Sequence, residues 1–152
     1  MKLKQELKQK RPFPSVQEEA LLALSRTADQ MVVPMNDILR DANLSSSQYN
    51  ILRILRGSAG SEGLACGEIS ERMVRRDPDL TRLLDKLEAR GLVTRARGTS
   101  DRRVVRASIT KEGLKLLASL DEPVQTSIQA ILGHVPKDRL RTLIEILEEL
   151  RG

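Results

Sequence analysis

Residues 68–110, EISERMVRRDPDLTRLLDKLEARGLVTRARGTSDRRVVRASIT, decide how the chain is to be read. They divide into two short helical segments joined by a tight turn, followed by a hairpin crowded with arginine. In the second segment Asp77 suits an N-cap and Pro78 the first helical position, where a fixed φ helps and a missing N–H costs nothing. Leu80, Leu83, Leu84 and Leu87 then recur at i, i+3, i+4 and i+7, which makes one apolar stripe. Pro78, Thr81, Arg82 and Asp85 point away from it, with Asp79 and Lys86 at the flanks. Gly91 after Arg90 supplies a helix stop, and Leu92 the apolar contact of a Schellman ending.

An ordinary amphipathic helix with a solvated polar face would look the same, so the hairpin has to decide. Leu92-Val93-Thr94 starts a β-leaning run, Gly98-Thr99-Ser100-Asp101 turns it, and Val104-Val105 with Ser108-Ile109 brings it back. Between Arg90 and Arg106 the cations are Arg90, Arg95, Arg97, Arg102, Arg103 and Arg106, against Asp101 alone, a net +5. A solvated hairpin would mix signs. Arginine throughout suits forked phosphate contacts and narrow, electronegative minor grooves. The unit reads as a winged helix-turn-helix.

Three groups of residues resemble the multiple-antibiotic-resistance regulator (MarR) family of bacterial winged-helix repressors. They are Leu87-Glu88-Ala89-Arg90-Gly91-Leu92-Val93, Asp101-Arg102-Arg103, and Ile109-Thr110-Lys111-Glu112-Gly113. Their order and spacing look like that family's recognition-helix end, wing tip and entry to the long C-terminal helix, and the likeness runs from about Val16 to Leu150. It implies a mainly α fold with a small β-wing and long terminal dimerisation helices. It also implies a short strand near Leu64 against the wing, and Asp101 bracing a wing arginine.

The composition agrees with a folded DNA binder. The chain of 152 residues is 39% hydrophobic and 31% charged, with a pI near 9.7, which suits one domain and a polyanionic partner. Phe13 and Tyr49 are the only aromatic residues, so single-strand readers that stack bases on aromatic platforms are disfavoured. One cysteine excludes a disulfide framework within the chain and a Cys-rich zinc site, and fits a reducing cytoplasm. No apolar run approaches the roughly 20 residues of a membrane span.

Residues 1–14 read as a basic, mobile arm without a secretory apolar region, carrying Lys2, Lys4, Lys8, Lys10 and Arg11 against Glu6. Residues 15–43 and 111–152 form a helical dimerisation region around a DNA-binding region at 44–110. Ser15 starts the first long helix, with Glu18 as its capping partner, and Pro34 is expected to kink or interrupt it. Ser45 and Gln48 have capping-box spacing, with Leu44 and Tyr49 as a staple. Ala65-Cys66 is a poor helix cap, expected to cost on the order of 1 kcal/mol and fray. The last two helices run from Thr110, with an interruption near Pro123, and from Pro136 at N1. Leu21, Leu24, Leu140, Leu143, Ile144 and Leu147 belong to stripes too apolar and too extended to share one small core, so a two-fold homodimer is expected.

The expected DNA contacts are Pro78, Asp79, Thr81, Arg82 and Lys86 on the helix, with Arg82 as the guanine reader. Arg95, Arg97, Thr99, Arg102 and Arg103 follow on the wing, and Arg75 and Arg76 on phosphates. Asp79 and Asp85 should repel phosphate. They accept from cytosine N4, pair with Arg82, or weaken binding, and the sequence leaves all three open. No catalytic set, metal site or cofactor is expected. His134 stands without a motif, and Cys66 reads as a small half-buried thiol before a redox sensor. The resemblance implies a small aromatic or phenolic effector in a cleft between dimer helices and DNA-binding lobe, for which Leu24, Ala28, Met31, Tyr49 and Leu55 are candidates. A helical protein-interaction adaptor is the rival reading, but it leaves the arginine hairpin idle.

Overall fold

The computed structural model describes residues 2–152. Leu3–Glu6 forms a single helical turn (α1) within the basic arm, and the Glu6 carboxylate lies 3.8 Å from Arg26. Helix α2 (Val16–Asp41) starts where Ser15 accepts a hydrogen bond from the amide of Glu18 at 3.1 Å. Helix α3 (Ser46–Gly57) starts on a full capping box: Ser45 Oγ accepts from Gln48 N and Gln48 Oε1 accepts from Ser45 N. Leu44 and Tyr49, the staple pair, are both buried.

Strand β1 (Leu64–Ala65) leads into α4 (Cys66–Arg72), and α5 (Leu80–Ala89) follows after the turn. Strands β2 (Val93–Arg97) and β3 (Val105–Ile109) form the hairpin, and the sheet order is β1-β3-β2, antiparallel throughout. Helices α6 (Lys111–Leu132) and α7 (Lys137–Arg151) close the chain. Leu39, Ile51, Leu52, Leu55, Ile69, Leu84, Leu87, Val93, Leu117 and Val124 form the sealed centre, so α2, α3, α4, α5, β2 and α6 share one core. Helix α7 buries no residue of its own, and Leu143, Ile144, Ile146 and Leu150 stay exposed on it.

Several expectations from sequence change here. Neither proline interrupts its helix: α2 runs through Pro34 and α6 through Pro123. Each proline denies a donor to the carbonyl four residues earlier, at Gln30 and Ser119. All four residues are exposed, so water can reach the freed groups. Helix α5 begins two residues later than expected, with Asp79 at its N-cap. Asp77 instead accepts from the Asp79 amide at 2.8 Å, capping the turn that contains Pro78. Pro136 occupies the N-cap of α7 and not N1. The weak cap at Ala65 is compensated, because Glu68 Oε2 accepts the Ala65 amide at 2.8 Å.

Gly91 closes α5 in the left-handed region (φ 71°). Its amide bonds to Glu88 O, and Leu92 N to Leu87 O, which is a Schellman ending. Thr110 caps α6 by accepting from Gly113 N, and its hydroxyl donates to Gly91 O at 2.7 Å. A side chain at Gly113 would meet the Leu92 carbonyl and the Ile109 side chain. Gly113→Ala should gain roughly 1 kcal/mol in helix propensity, yet overpacking here costs about 1–3 kcal/mol. The clash is with backbone, so we expect net destabilisation, read as a lower urea midpoint at unchanged slope and fixed protein concentration.

Candidate nucleic-acid interface

The outer face of α5 is open. Pro78, Asp79, Thr81, Arg82, Asp85 and Lys86 are all exposed, while Leu80, Leu84 and Leu87 hold the opposite face in the core. Among the described residues no salt bridge engages Arg82. Asp85 is instead taken by Arg95, so this acid of the outer face already has a partner within the protein. The turn before α5 is held on α3, where Asn50 Oδ1 accepts the Val74 amide at 2.8 Å. Arg75 and Arg76 project from that turn, both exposed.

The hairpin's arginines divide into two kinds. Arg95, expected among the wing's DNA contacts, is a brace: its guanidinium binds Asp85 and, at 3.1 Å, Glu88, and its amide donates to Glu88 Oε2 at 2.9 Å. The hydrogen bond from Arg95 holds Glu88 below the usual carboxylate range, and Glu88 and Asp85 raise Arg95 in turn. Arg106 donates to Glu68 Oε2 and to the Gly63 carbonyl, both at 3.2 Å, and lies 3.3 Å from Glu62. The Ala65 amide, followed by Arg106 and Arg72, holds Glu68 low as well. Arg90 donates to the carbonyls of Asn43 and Ala42 at 2.6 and 3.1 Å, and Arg97 to Arg102 O at 2.9 Å.

Arg102 and Arg103 remain at the tip. Asp101 accepts from the Arg103 amide (3.0 Å) and lies 3.3 Å from its Nε, yet the Arg103 side chain is 92% exposed. Asp101 therefore orients this arginine without withdrawing it from solvent. Thr99, also expected to touch DNA, gives its hydroxyl to Glu62 Oε2 at 2.8 Å.

A helix whose exposed Arg82 has no salt-bridge partner among the described residues, beside an arginine-tipped wing, can be compared with known proteins. Residues 44–105 match the model of the MarR family. A MarR transcription factor from Planctomyces limnophilus, known as a crystal structure, is 44% identical. The match covers 90% of this chain and 98% of that one, with a TM-score of 0.69. The chain belongs to the MarR family. It is also 28% identical over 139 residues to the HTH-type transcriptional regulator FarR of Neisseria gonorrhoeae, covering 91% of this chain and 93% of that one. The homoprotocatechuate degradative operon repressor of Escherichia coli is 27% identical over 128 residues, 84% of each chain.

In this MarR protein the expected effector residues do not converge. Leu55 is sealed in the core and Tyr49 is buried, whereas Leu24 and Ala28 lie on the protomer surface. Of the five, only Tyr49 lines the nearest cavity, about 340 Å³, with Met35, Ser46, Ser47, Asn50, Arg53, Val74 and Arg75. Arg53 lies over the Tyr49 ring, 5.9 Å from its centroid. Cys66 is exposed at the first position of α4, not half-buried. Glu62, Glu68 and Arg106 were not legible as a cluster, since Arg106 lies 38 residues from Glu68 and further still from Glu62. The same holds for Arg56, which forks onto Asp121 at 2.9 and 3.0 Å and ties α3 to α6.

The Arg95 brace carries a pH signature. Glu88 has a folded pKa depressed below its unfolded value near 4.5, so its contribution is present above that value and is lost as pH falls through the lower folded one. Glu88→Gln should flatten the acid side of the stability profile below about pH 4.5 and leave the neutral-pH salt dependence of DNA binding unchanged. Thermal melting from pH 3 to 7 reads the first, and salt titration of DNA binding the second.

Proposed function

We propose that this protein is a homodimeric repressor that binds double-stranded DNA at a pseudo-palindromic operator. The observation that carries the reading is Arg82, without a salt-bridge partner among the described residues, on an exposed helix that Arg95 ties to the wing carrying Arg102 and Arg103. Helix α5 enters a major groove, where Arg82 forks onto guanine O6 and N7, with Pro78, Asp79, Thr81 and Lys86 at neighbouring edges and phosphates. Arg102 and Arg103 enter the adjoining minor groove, and Arg75 and Arg76 clamp phosphates. Family membership and the regulators it resembles support this reading over a protein-interaction adaptor or an enzyme. As a DNA-binding regulator the protein acts in the cytoplasm.

The dimer is built from both chain ends. Leu21, Leu24, Leu143 and Ile144 are exposed on the protomer, with Leu140 and Leu147 half-buried beside them. A second copy covers this surface with the same surface, and its two-fold axis sets half-sites about one helical turn apart. The cavity at Tyr49 takes a small aromatic or phenolic effector. Arg53 and Arg75 favour an anionic one, and the Asn50–Val74 bond passes its presence to the turn before α5.

Selection of bound duplexes from a random pool, at two salt concentrations, should enrich an inverted repeat. Arg82→Ala is expected to relax preference at one guanine per half-site by about 1–3 kcal/mol. Arg103→Ala should weaken binding across core sequences and lower the logarithmic salt slope by about 1. Equal wild-type affinity for every operator variant would sink the base-reading role.

A further inference from the structure

The wing tip projects beyond its strands. The β2–β3 ladder ends at the pair Arg97 and Val105, and past it the loop closes on Gly98 N to Val104 O and Val104 N to Asp101 O. Strand β1 pairs with β3 only as far as Arg106, so the tip beyond Arg97 and Val105 has no third strand beside it. Tip arginines must nevertheless reach a groove only about 6 Å wide. Among the described residues, the side-chain hydrogen bond that ties this tip to another part of the protein runs from Thr99 Oγ1 to Glu62 Oε2, at 2.8 Å.

Glu62 is itself held. Its other oxygen lies 3.3 Å from Arg106 Nε, a buried atom that makes no hydrogen bond among the described residues. Arg106 continues to Glu68 and the Gly63 carbonyl, and Glu68 to the amide that starts α4. A continuous set of contacts therefore runs from wing tip through the loop to the first helix of the helix-turn-helix.

We propose that Glu62 is a positioning residue for DNA recognition: through Thr99 and Arg106 it fixes where the wing tip meets the minor groove, and so sets the preference for A·T-rich operator flanks without touching DNA. The proposal rests on the DNA-binding reading above. The sign of its effect separates it from simple electrostatics. A carboxylate near the wing repels phosphate, so by charge alone its removal would tighten binding. As a positioning residue its removal frees the tip and takes from Arg106 Nε the carboxylate beside it, leaving Glu68 as that arginine's only acidic partner among the described residues, and binding weakens.

The test compares operators with A·T-rich and G·C-rich flanks around one core half-site. Glu62→Ala should lose about tenfold in affinity on A·T-rich flanks and much less on G·C-rich flanks. Thr99→Val should do the same, Thr99→Ser should retain wild-type discrimination, and the Glu62→Ala/Thr99→Val double variant should lose no more than either alone. Core base preference stays unchanged, and melting curves establish that each variant is folded. Tighter binding by Glu62→Ala, or fully additive losses in the double variant, would overturn the proposal. Arg103→Ala serves as the control. If it leaves flank preference intact, the wing reading itself fails and the role of Glu62 falls with it; if it abolishes that preference, failure of the Glu62 variants counts against Glu62 alone.

Discussion

The carbonyls of Gly91 and Leu92 hold three elements at one point. Here α5 stops, β2 starts, and α6 is anchored, because the Thr110 hydroxyl donates to Gly91 O and the Thr110 amide to Leu92 O at 3.1 Å. The same hydroxyl accepts from Gly113 N, so one threonine satisfies donors and acceptors from both sides of the junction. The approach is close enough that position 113 has no room for a side chain. This junction fixes the angle between the helix that reads DNA and the helix that leads to the dimer surface. In a two-fold dimer that angle sets the separation of the two reading helices, which no side-chain contact to DNA can correct afterwards.

The wing is oriented by the chemistry of its own strands. Side chains alternate along a strand, and cross-strand partners share a face. Arg95 pairs with Ala107, and Arg106 with Ala96, so the two arginines leave opposite faces of the same ribbon. One reaches α5 through Asp85 and Glu88, the other reaches α4 through Glu68 and the preceding loop through Glu62. Each such pair on a half-exposed surface would contribute little if isolated. Arranged on both faces, they restrict rotation of the ribbon in both senses. That directional restraint matters more to the wing than the stability the pairs add.

What could be read from sequence tracks the range of the interactions. The caps at Ser15, Ser45 and Thr110 and the stop at Gly91 depend on residues one turn away, and their spacing is visible in the chain. The hairpin was equally visible, because alternation and turn residues are local. Its charge was not divisible in that way. A count of arginines gives the field of the segment, but not which members face partners some 10 to 40 residues distant. The partners of Arg95 and Thr99 within the protein are therefore visible only in the fold. The interruptions expected at the prolines are absent for another reason: a proline's cost depends on whether the freed carbonyl meets water, and that is a property of the assembled surface.

The acidic residues around the reading helix bear on how this MarR protein divides affinity from specificity. Asp77 and Asp79 sit at the start of α5, where carboxylates complement the helix dipole, and Asp77 accepts the Asp79 amide while the Asp79 carboxylate makes no cap bond. They also repel the phosphates that Arg75 and Arg76 would attract. Non-specific binding depends almost wholly on phosphate neutralisation, whereas a correct operator adds base contacts, proposed here for Arg82. Acids beside the reading face therefore weaken sequence-independent binding along with the specific complex. In the proposed docking, an acid at an edge position such as Asp79 would recover that loss only where it accepted from cytosine N4. In that docking the carboxylates at the helix start would raise the ratio of operator to bulk-DNA affinity at the expense of its absolute value, and that ratio governs occupancy among competing sites.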